Sequence, residues 1–277
     1  MPIIKNVPFD SITINLDSRD KINETGNYYQ FSFNQSIKVP NPNYRMLISL
    51  VSAEIPNTFY NINDNNNKLY ITENLVPKTI IIPIGNYNIY QLVNELQTLL
   101  GPNYTVTYNQ ITNKLNILLI VVMSTVFLFS ISSIRDVIGF KSSTLTIINN
   151  QSITSDYVCN LNYTNVLYLQ TDITELTSVY SQTKEPINFL NKIPINSPQN
   201  FMIFFYPTQK SHEIYVQSGN IQKITLTILD DRLRNIDLNG AYFNVTLLIE
   251  FIEDITFKEY NKDLGKSPFI QFTKLDY

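Results

Sequence analysis

Apolar and polar residues alternate with a period of two near both ends of the chain. Ile12, Ile14 and Leu16 alternate with Thr13 and Asn15, and Tyr29, Phe31 and Phe33 alternate with Gln30 and Ser32. Further on, Ile224, Leu226 and Ile228 alternate with Thr225 and Thr227. The longest such run sets Phe243, Val245, Leu247, Ile249 and Phe251 against Asn244, Thr246 and Glu250. Successive side chains of a strand point to opposite faces, so each run predicts a strand with one buried and one wetter face, as in antiparallel sheets. Met46–Ile55 and Phe201–Tyr206 are continuous apolar runs and predict strands covered on both faces. Tyr104, Val106 and Tyr108 predict a short strand that turns through Asn109–Asn113 into an apolar segment, forming a hairpin.

One stretch changes period. Ile89, Leu92, Val93, Leu96 and Leu100 fall on a single helical face, Asn88 stands at the N-cap with Gln91 three residues on, and Gly101-Pro102 closes the segment. A weaker helical pattern runs over Thr171–Ser178. Asn61–Lys68 is an Asn/Asp cluster predicted to turn outside the core, and Ser142–Tyr157 is a polar connection. Thr183–Asn200 carries Pro186, Pro194 and Pro198 and predicts a long surface connection. Many short strands, one helix and long loops predict a mostly β chain, an antiparallel sandwich or jelly roll. Residues 1–62 plus 161–277 supply that sandwich, and residues 63–160 form an inserted β-rich region with one helix near 88–100.

From Leu115 to Ile134 twenty residues pass without a charge, between Lys114 and Arg135. A helix of about 20 residues crosses a bilayer, so membrane contact here is one reading. Asn116, Ser124 and Thr125 interrupt the run, and its Val and Ile content favours the other: two buried strands, Leu115–Val122 and Val126–Ser132, joined by a turn near Ser124-Thr125.

Composition narrows the function. Of 277 residues 44% are hydrophobic and 16% charged, so the chain has the material for a core and too little charge for disorder. Asn and Ile number 35 and 38 with no Trp, the mark of AT-rich codons. Asn tolerates φ > 0 and replaces Gly in many turns. The Asn-x-Ser/Thr matches at Asn23, Asn34, Asn103, Asn150, Asn162 and Asn244 follow from this abundance. A net charge of −3 with no Lys/Arg run argues against a nucleic-acid-binding face. Cys159 is the sole cysteine, so no internal disulfide forms. The start, Met1-Pro2-Ile3-Ile4-Lys5, lacks the apolar stretch of a signal peptide.

No two of the seven glycines lie within ten residues of each other, which excludes a P-loop and a dinucleotide fingerprint. His212 is the only histidine, and nothing around Cys159 marks a nucleophile, so the pair is expected to be a surface imidazole and a structural thiol. Asp230-Asp231 beside Arg232 and Arg234 predicts a charged turn. Carboxylates grouped as Asp172/Glu175 and Glu250/Glu253-Asp254 could hold a metal or run glycoside hydrolysis in a cleft, but Glu250 falls on the polar face of its strand and a structural reading is preferred. The chain is therefore expected to have no catalytic, cofactor-binding or metal residues and not to be an enzyme. Eighteen tyrosines, scattered and without Trp, suit subunit interfaces better than a sugar platform.

Several short segments, in order, resemble stations of the penton and minor capsid proteins of virophages, Polinton-like viruses and large nucleocytoplasmic DNA viruses. These are Leu16-Asp17-Ser18-Arg19-Asp20, Ala53-Glu54-Ile55-Pro56-Asn57-Thr58-Phe59-Tyr60-Asn61-Ile62, Ile84-Gly85-Asn86-Tyr87, Ile138-Gly139-Phe140, Ile193-Pro194-Ile195 and Ile236-Asp237-Leu238-Asn239-Gly240. The resemblance implies a single jelly roll in an icosahedral virion, a homopentamer at the fivefold vertices beside the major capsid protein, with no cofactor. A non-penton minor capsid or cement role, or a lectin-like receptor-binding jelly roll on the particle surface, is the alternative. Pro56 holds Ile55 extended and makes Glu54–Ile62 a fixed corner. Asp237 and Asn239 are placed to cap backbone amides while Gly240 takes φ > 0. Glu54, Pro56, Asn57, Asp237, Asn239 and Gly240 are thus structural corners and candidate interface residues.

Overall fold

The structure, a computed structural model, describes residues 10–23, 28–175, 178–179, 186–208 and 213–253. The chain folds into two compact units, Met1–Thr58 with Val166–Tyr277, and Phe59–Asn165. The first unit opens with β1 (Asp10–Asp17), β2 (Tyr29–Lys38) and β3 (Tyr44–Pro56). The second holds β4 (Lys68–Glu73), β5 (Val76–Ile81), α1 (Ile89–Leu100), β6 (Tyr104–Asn109) and β7 (Lys114–Leu119). It continues with β8 (Ser124–Leu128), α2 (Arg135–Ile138), β9 (Thr144–Ile148) and β10 (Ser152–Thr154). The chain then re-enters the first unit through β11 (Val166–Thr171), β12 (Ser178–Val179), β13 (Pro186–Ile187) and β14 (Phe189–Pro194). It ends with β15 (Met202–Phe205), β16 (Ile214–Tyr215), β17 (Asn220–Leu229) and β18 (Asn244–Glu253).

The first unit contains two antiparallel sheets, ordered β1-β18-β3-β15, with β16 also on β3, and β14-β11-β17-β2. With β15 and β16 taken as one interrupted strand, the pairs are first with eighth, second with seventh, third with sixth and fourth with fifth. That is a long hairpin folded over itself into two sheets, the jelly-roll winding. β12 and β13 form a small separate ribbon. Most of the alternation read from the sequence sets the core face: Ile14 and Leu16, Phe31, Ile224, Leu226 and Ile228, and Val245, Leu247, Ile249 and Phe251 are buried, whereas Ile12 at the start of β1 is exposed.

The apolar run in β3 has a different cause from double coverage. Opposite β18, Thr246 pairs with Ser52 and Leu247 with Leu50, so Val51 is an extra residue. The bulge shifts parity, so Met46, Ile48 and Leu50 before it and Ala53 and Ile55 after it are all core positions, while Val51 is exposed. Phe201–Tyr206 is also not covered on both faces. β15 is an edge strand that buries Ile203 and exposes Met202 and Phe204, with Phe201 and Tyr206 exposed at its ends.

The second unit has sheets β5-β4-β8-β9 and β10-β7-β6. Its core gathers Leu92 and Leu96 of α1 with Leu69, Leu115, Ile117 and stacked Phe127, Phe129 and Phe140 (centroids 5.6 and 4.1 Å apart). Asn88 and Gln91 form the capping box that starts α1. Gln97 then clamps β6: its Nε2 donates to the Tyr104 carbonyl (2.8 Å) and its Oε1 accepts from Val106 N–H (2.7 Å). β6 and β7 form the expected hairpin. Among the described residues no helix is long and apolar enough to cross a membrane.

Further expectations are corrected. The strands from Leu115 to Ile134 do not pair with each other; β7 and β8 lie in different sheets, joined by Ile120–Met123. The 61–68 loop is not outside the core, because Asn61, Asn66 and Asn67 are buried. The connections at 142–157 and 183–200 contain β9, β10 and β14, and the described residues 171–175 are not helical. Glu250 and Asp230 are both buried rather than on a polar face or in a solvated turn.

Candidate functional site

In the first unit, three of the sequence stations meet at one corner. β3 ends at Pro56, where its last residues pair with β15: Glu54 opposite Phe204, Ile55 opposite Ile203, Pro56 opposite Met202. Asn57 then turns the chain inward. Its N–H donates to the Phe201 carbonyl (2.9 Å), its carbonyl accepts from Asn200 N–H (2.8 Å), and its Nδ2 donates to the Ser197 carbonyl (3.0 Å). Asn57 Oδ1 is buried without a hydrogen-bond partner. Thr58 Oγ1 donates to the Leu238 carbonyl at 2.7 Å, and Asn239 Nδ2 donates back to the Thr58 carbonyl at 2.6 Å. Residues 180 positions apart in sequence are thereby locked as a reciprocal pair.

The second station of the corner, Asp237–Gly240, is a tight turn. Ala241 N–H donates to the Leu238 carbonyl (3.1 Å), with Asn239 and Gly240 at φ 53° and 77°. Two successive positive φ values favour Asn followed by Gly here. Asp237 Oδ1 accepts from Asn239 N–H at 2.8 Å, so the carboxylate is occupied by its own turn.

The third station, Asp17–Asp20, closes beside it. Ser18 N–H donates to the Phe243 carbonyl (3.0 Å) and Ser18 Oγ accepts from Phe243 N–H (2.9 Å). Asp17 accepts from Arg19 backbone and side chain, and these hydrogen bonds hold its carboxyl below the ordinary carboxylate range. A cavity of about 270 Å³ lies between the two turns, lined by Ser18, Lys21, Tyr29, Asp237, Gly240 and Tyr242. Lys21 Nζ sits 5.4 Å from the Tyr29 ring centroid, and Arg19 5.9 Å from that of Tyr242. Burial, then the charge of Asp237, push the Tyr29 phenol upward.

All six predicted corner residues fall in this assembly. Exposed Phe201, Phe204, Tyr206 and Tyr242 flank it, and Tyr206 Oη reaches Glu54 Oε1 at 3.5 Å. The apolar run 201–206 concealed these aromatics in the sequence, although a short strand following Pro198 at a sheet edge is where exposed apolar residues collect.

Two further stations serve as pins in the second unit. Asn61 Nδ2 donates to the Tyr87 carbonyl (2.8 Å) and its Oδ1 accepts from Tyr87 N–H (2.9 Å). Gly139 has φ 78°, and a Cβ there would stand 2.9 Å from the Val158 carbonyl oxygen and nearer still to that of Tyr157.

The residues weighed for chemistry are occupied structurally. Buried Asp230 accepts from Arg232 and Arg234 N–H (both 2.8 Å) and from the Arg234 guanidinium. Asp172 accepts from Thr225 N–H (2.9 Å), and Glu175 pairs with Arg45 (2.8 Å). Burial pushes the Cys159 thiol up to about 11, far from a reactive thiolate. His212 and Asp254 lie outside the described residues. Among the described residues no three His, Cys, Asp or Glu side chains gather as a metal site.

No family model matches the chain and no curated protein matches it. Among solved structures it is similar to the mavirus penton protein, with a TM-score of 0.49 at 13% identity, covering 88% of this chain and 100% of that one.

Proposed function

We propose that this chain is a structural capsid protein, the penton of an icosahedral virion, acting as a homopentamer at the fivefold vertices beside the major capsid protein. The observation that carries this reading is the convergence of the Asp17–Asp20, Glu54–Thr58 and Asp237–Gly240 stations, far apart in sequence, at one corner of a jelly roll. The corner is held by hydrogen bonds between side chains and backbone, so its product is a fixed shape. Fixed shape with flanking aromatics is what subunit packing uses, because Tyr and Phe supply contact area at small entropic cost. Glu54, Pro56, Asn57, Asp237, Asn239 and Gly240 orient that surface, and residues 59–165 form an insertion within the jelly roll.

In a fivefold ring each subunit would use two different patches, a heterologous contact that closes on itself. Negative-stain images of the purified protein should show fivefold rings. A monomer by light scattering at micromolar concentration, together with absence from purified virions, would overturn the reading.

A further inference from the structure

The cavity between the two turns of the corner is lined by polar groups whose hydrogen-bonding capacity the fold leaves unused. Ser18 is 3% exposed, and its Oγ accepts from Phe243 N–H (2.9 Å), which leaves the hydroxyl hydrogen to donate. Among the described residues the Tyr29 hydroxyl and the Lys21 ammonium have no hydrogen-bonding partner; Lys21 lies instead over the Tyr29 ring. Asp237 uses Oδ1 for Asn239 N–H, and its Oδ2 has no partner among the described residues.

Lys21 and Asp237 carry opposite charges at one cavity, yet they do not close into an ion pair. Asp237 is held by its own turn and Lys21 by the face of Tyr29. Arg19 is committed to Asp17, so the lining keeps one cation and one carboxylate and is neutral overall. Burial and the charge of Asp237 raise the Tyr29 phenol, which therefore stays a donor at neutral pH. Buried Ile236 and Leu238 supply an apolar wall, and Tyr242, 61% exposed, supplies aromatic surface at the rim. At about 270 Å³ the cavity falls just below the ~300–1,000 Å³ of ordinary ligand pockets, which is room for one small ring and not for an extended chain.

We propose that this cavity binds one neutral sugar ring, a pyranose. Each sugar hydroxyl both donates and accepts, so one ring can donate to Asp237 Oδ2 and accept from Lys21, Tyr29 and Ser18. Its C–H faces suit the apolar wall and the Tyr242 ring. A ligand with a net charge of either sign would meet a like charge here, Asp237 for an anion and Lys21 for a cation, and a neutral one meets neither. Tyrosines scattered through the sequence spoke against a sugar platform, but the fold brings Tyr29 and Tyr242 to a single cavity. The site belongs to one subunit and does not rest on the capsid reading, so either can fail alone.

Saturation-transfer NMR of the full chain with the methyl pyranosides of glucose, galactose, mannose and N-acetylglucosamine should show transfer to the ring protons of at least one. Its Kd should be on the order of millimolar, as expected for so small a ligand. Tyr29→Phe removes one O–H and keeps the ring, and Lys21→Met removes the ammonium and keeps the stem. Each should weaken binding about tenfold. The removed groups make no hydrogen bond among the described residues, so both variants should keep the parent's melting curve. Tyr90→Phe, at an exposed tyrosine of the second unit, should leave binding unchanged. No transfer to any of the four sugars overturns the proposal, and so does transfer that survives both cavity variants. Transfer to glucuronate or protonated glucosamine alone also overturns it, because the occupant would then be a charged group.

Discussion

Backbone conformation at single residues separates strain that the fold uses from strain that it merely carries. Gly139 belongs to the first kind: its positive φ and the carbonyls of Tyr157 and Val158 leave no room for a methyl group. Gly139→Ala should cost about 3 kcal/mol, read as a lower urea midpoint with an unchanged slope. Leu75, 93% exposed at φ 69° in the turn between β4 and β5, belongs to the second. Leu75→Gly should raise stability by about 0.5–1 kcal/mol, since glycine relieves the turn and no contact is lost. A loss of stability there would mean that the side chain packs within the fold after all. Asn61 shows why some residues were hard to read from sequence. An Asn-rich stretch has the composition of a solvated loop, yet its amides are buried because their partners at Ile82 and Tyr87 lie about twenty residues on, across the unit. Gly240 was legible because its demand is local: a tight turn needing φ > 0 announces itself in Asp-x-Asn-Gly.

Strands and helices were legible wherever one face alone decides the pattern. β1, β2, β17 and β18 each alternate cleanly, and α1 has its face, cap and stop within fourteen residues of sequence, Asn88 to Gly101. β3 was misread because a bulge interrupts its parity, and an apolar run looks the same whether it is doubly covered or kinked. The bulge explanation makes its own prediction. Deleting Val51 would place Leu50 beside Ser52 and restore regular pairing with β18 while Met46, Ile48, Leu50, Ala53 and Ile55 all keep the core face, so the variant should still fold cooperatively by near-ultraviolet circular dichroism. Val51→Thr, which keeps the extra residue, should remain within about 0.5 kcal/mol of the parent. If the deletion abolishes the cooperative fold, the bulge assigned at Val51 is wrong. β15 and β14 were harder for a different reason: an edge strand of four residues and a strand behind Pro186 leave little periodicity to count.

For the whole molecule, the titrating groups give the two units different sensitivities to pH. In the second unit Cys159 is raised to about 11, and burial raises the phenols of Tyr104, Tyr87 and Tyr108 above 10.0. In the first unit the raised phenols are Tyr29 and Tyr168. A pKa raised by folding favours the protonated form in the native state. Its contribution is complete below the unfolded value, 9.0 for the thiol and 10.0 for phenols, and disappears as pH rises through the folded value. Asp17 and Asp156 have the opposite sign: their lowered values contribute stability above 3.8 that is lost as pH falls through the folded pKa. Alkali should therefore destabilise the second unit first, beginning between about pH 9 and 11 with Cys159, where Tyr104 is also fully buried between Glu73 and Thr125. Heat scans at rising pH should show its transition moving down before that of the jelly roll, and Cys159→Ala should delay the onset. Tyrosinate absorbance from the buried phenols should grow only as that transition is crossed. If it grows in the still-folded protein, or if the jelly roll melts first, then burial in the second unit does not control the alkaline limb.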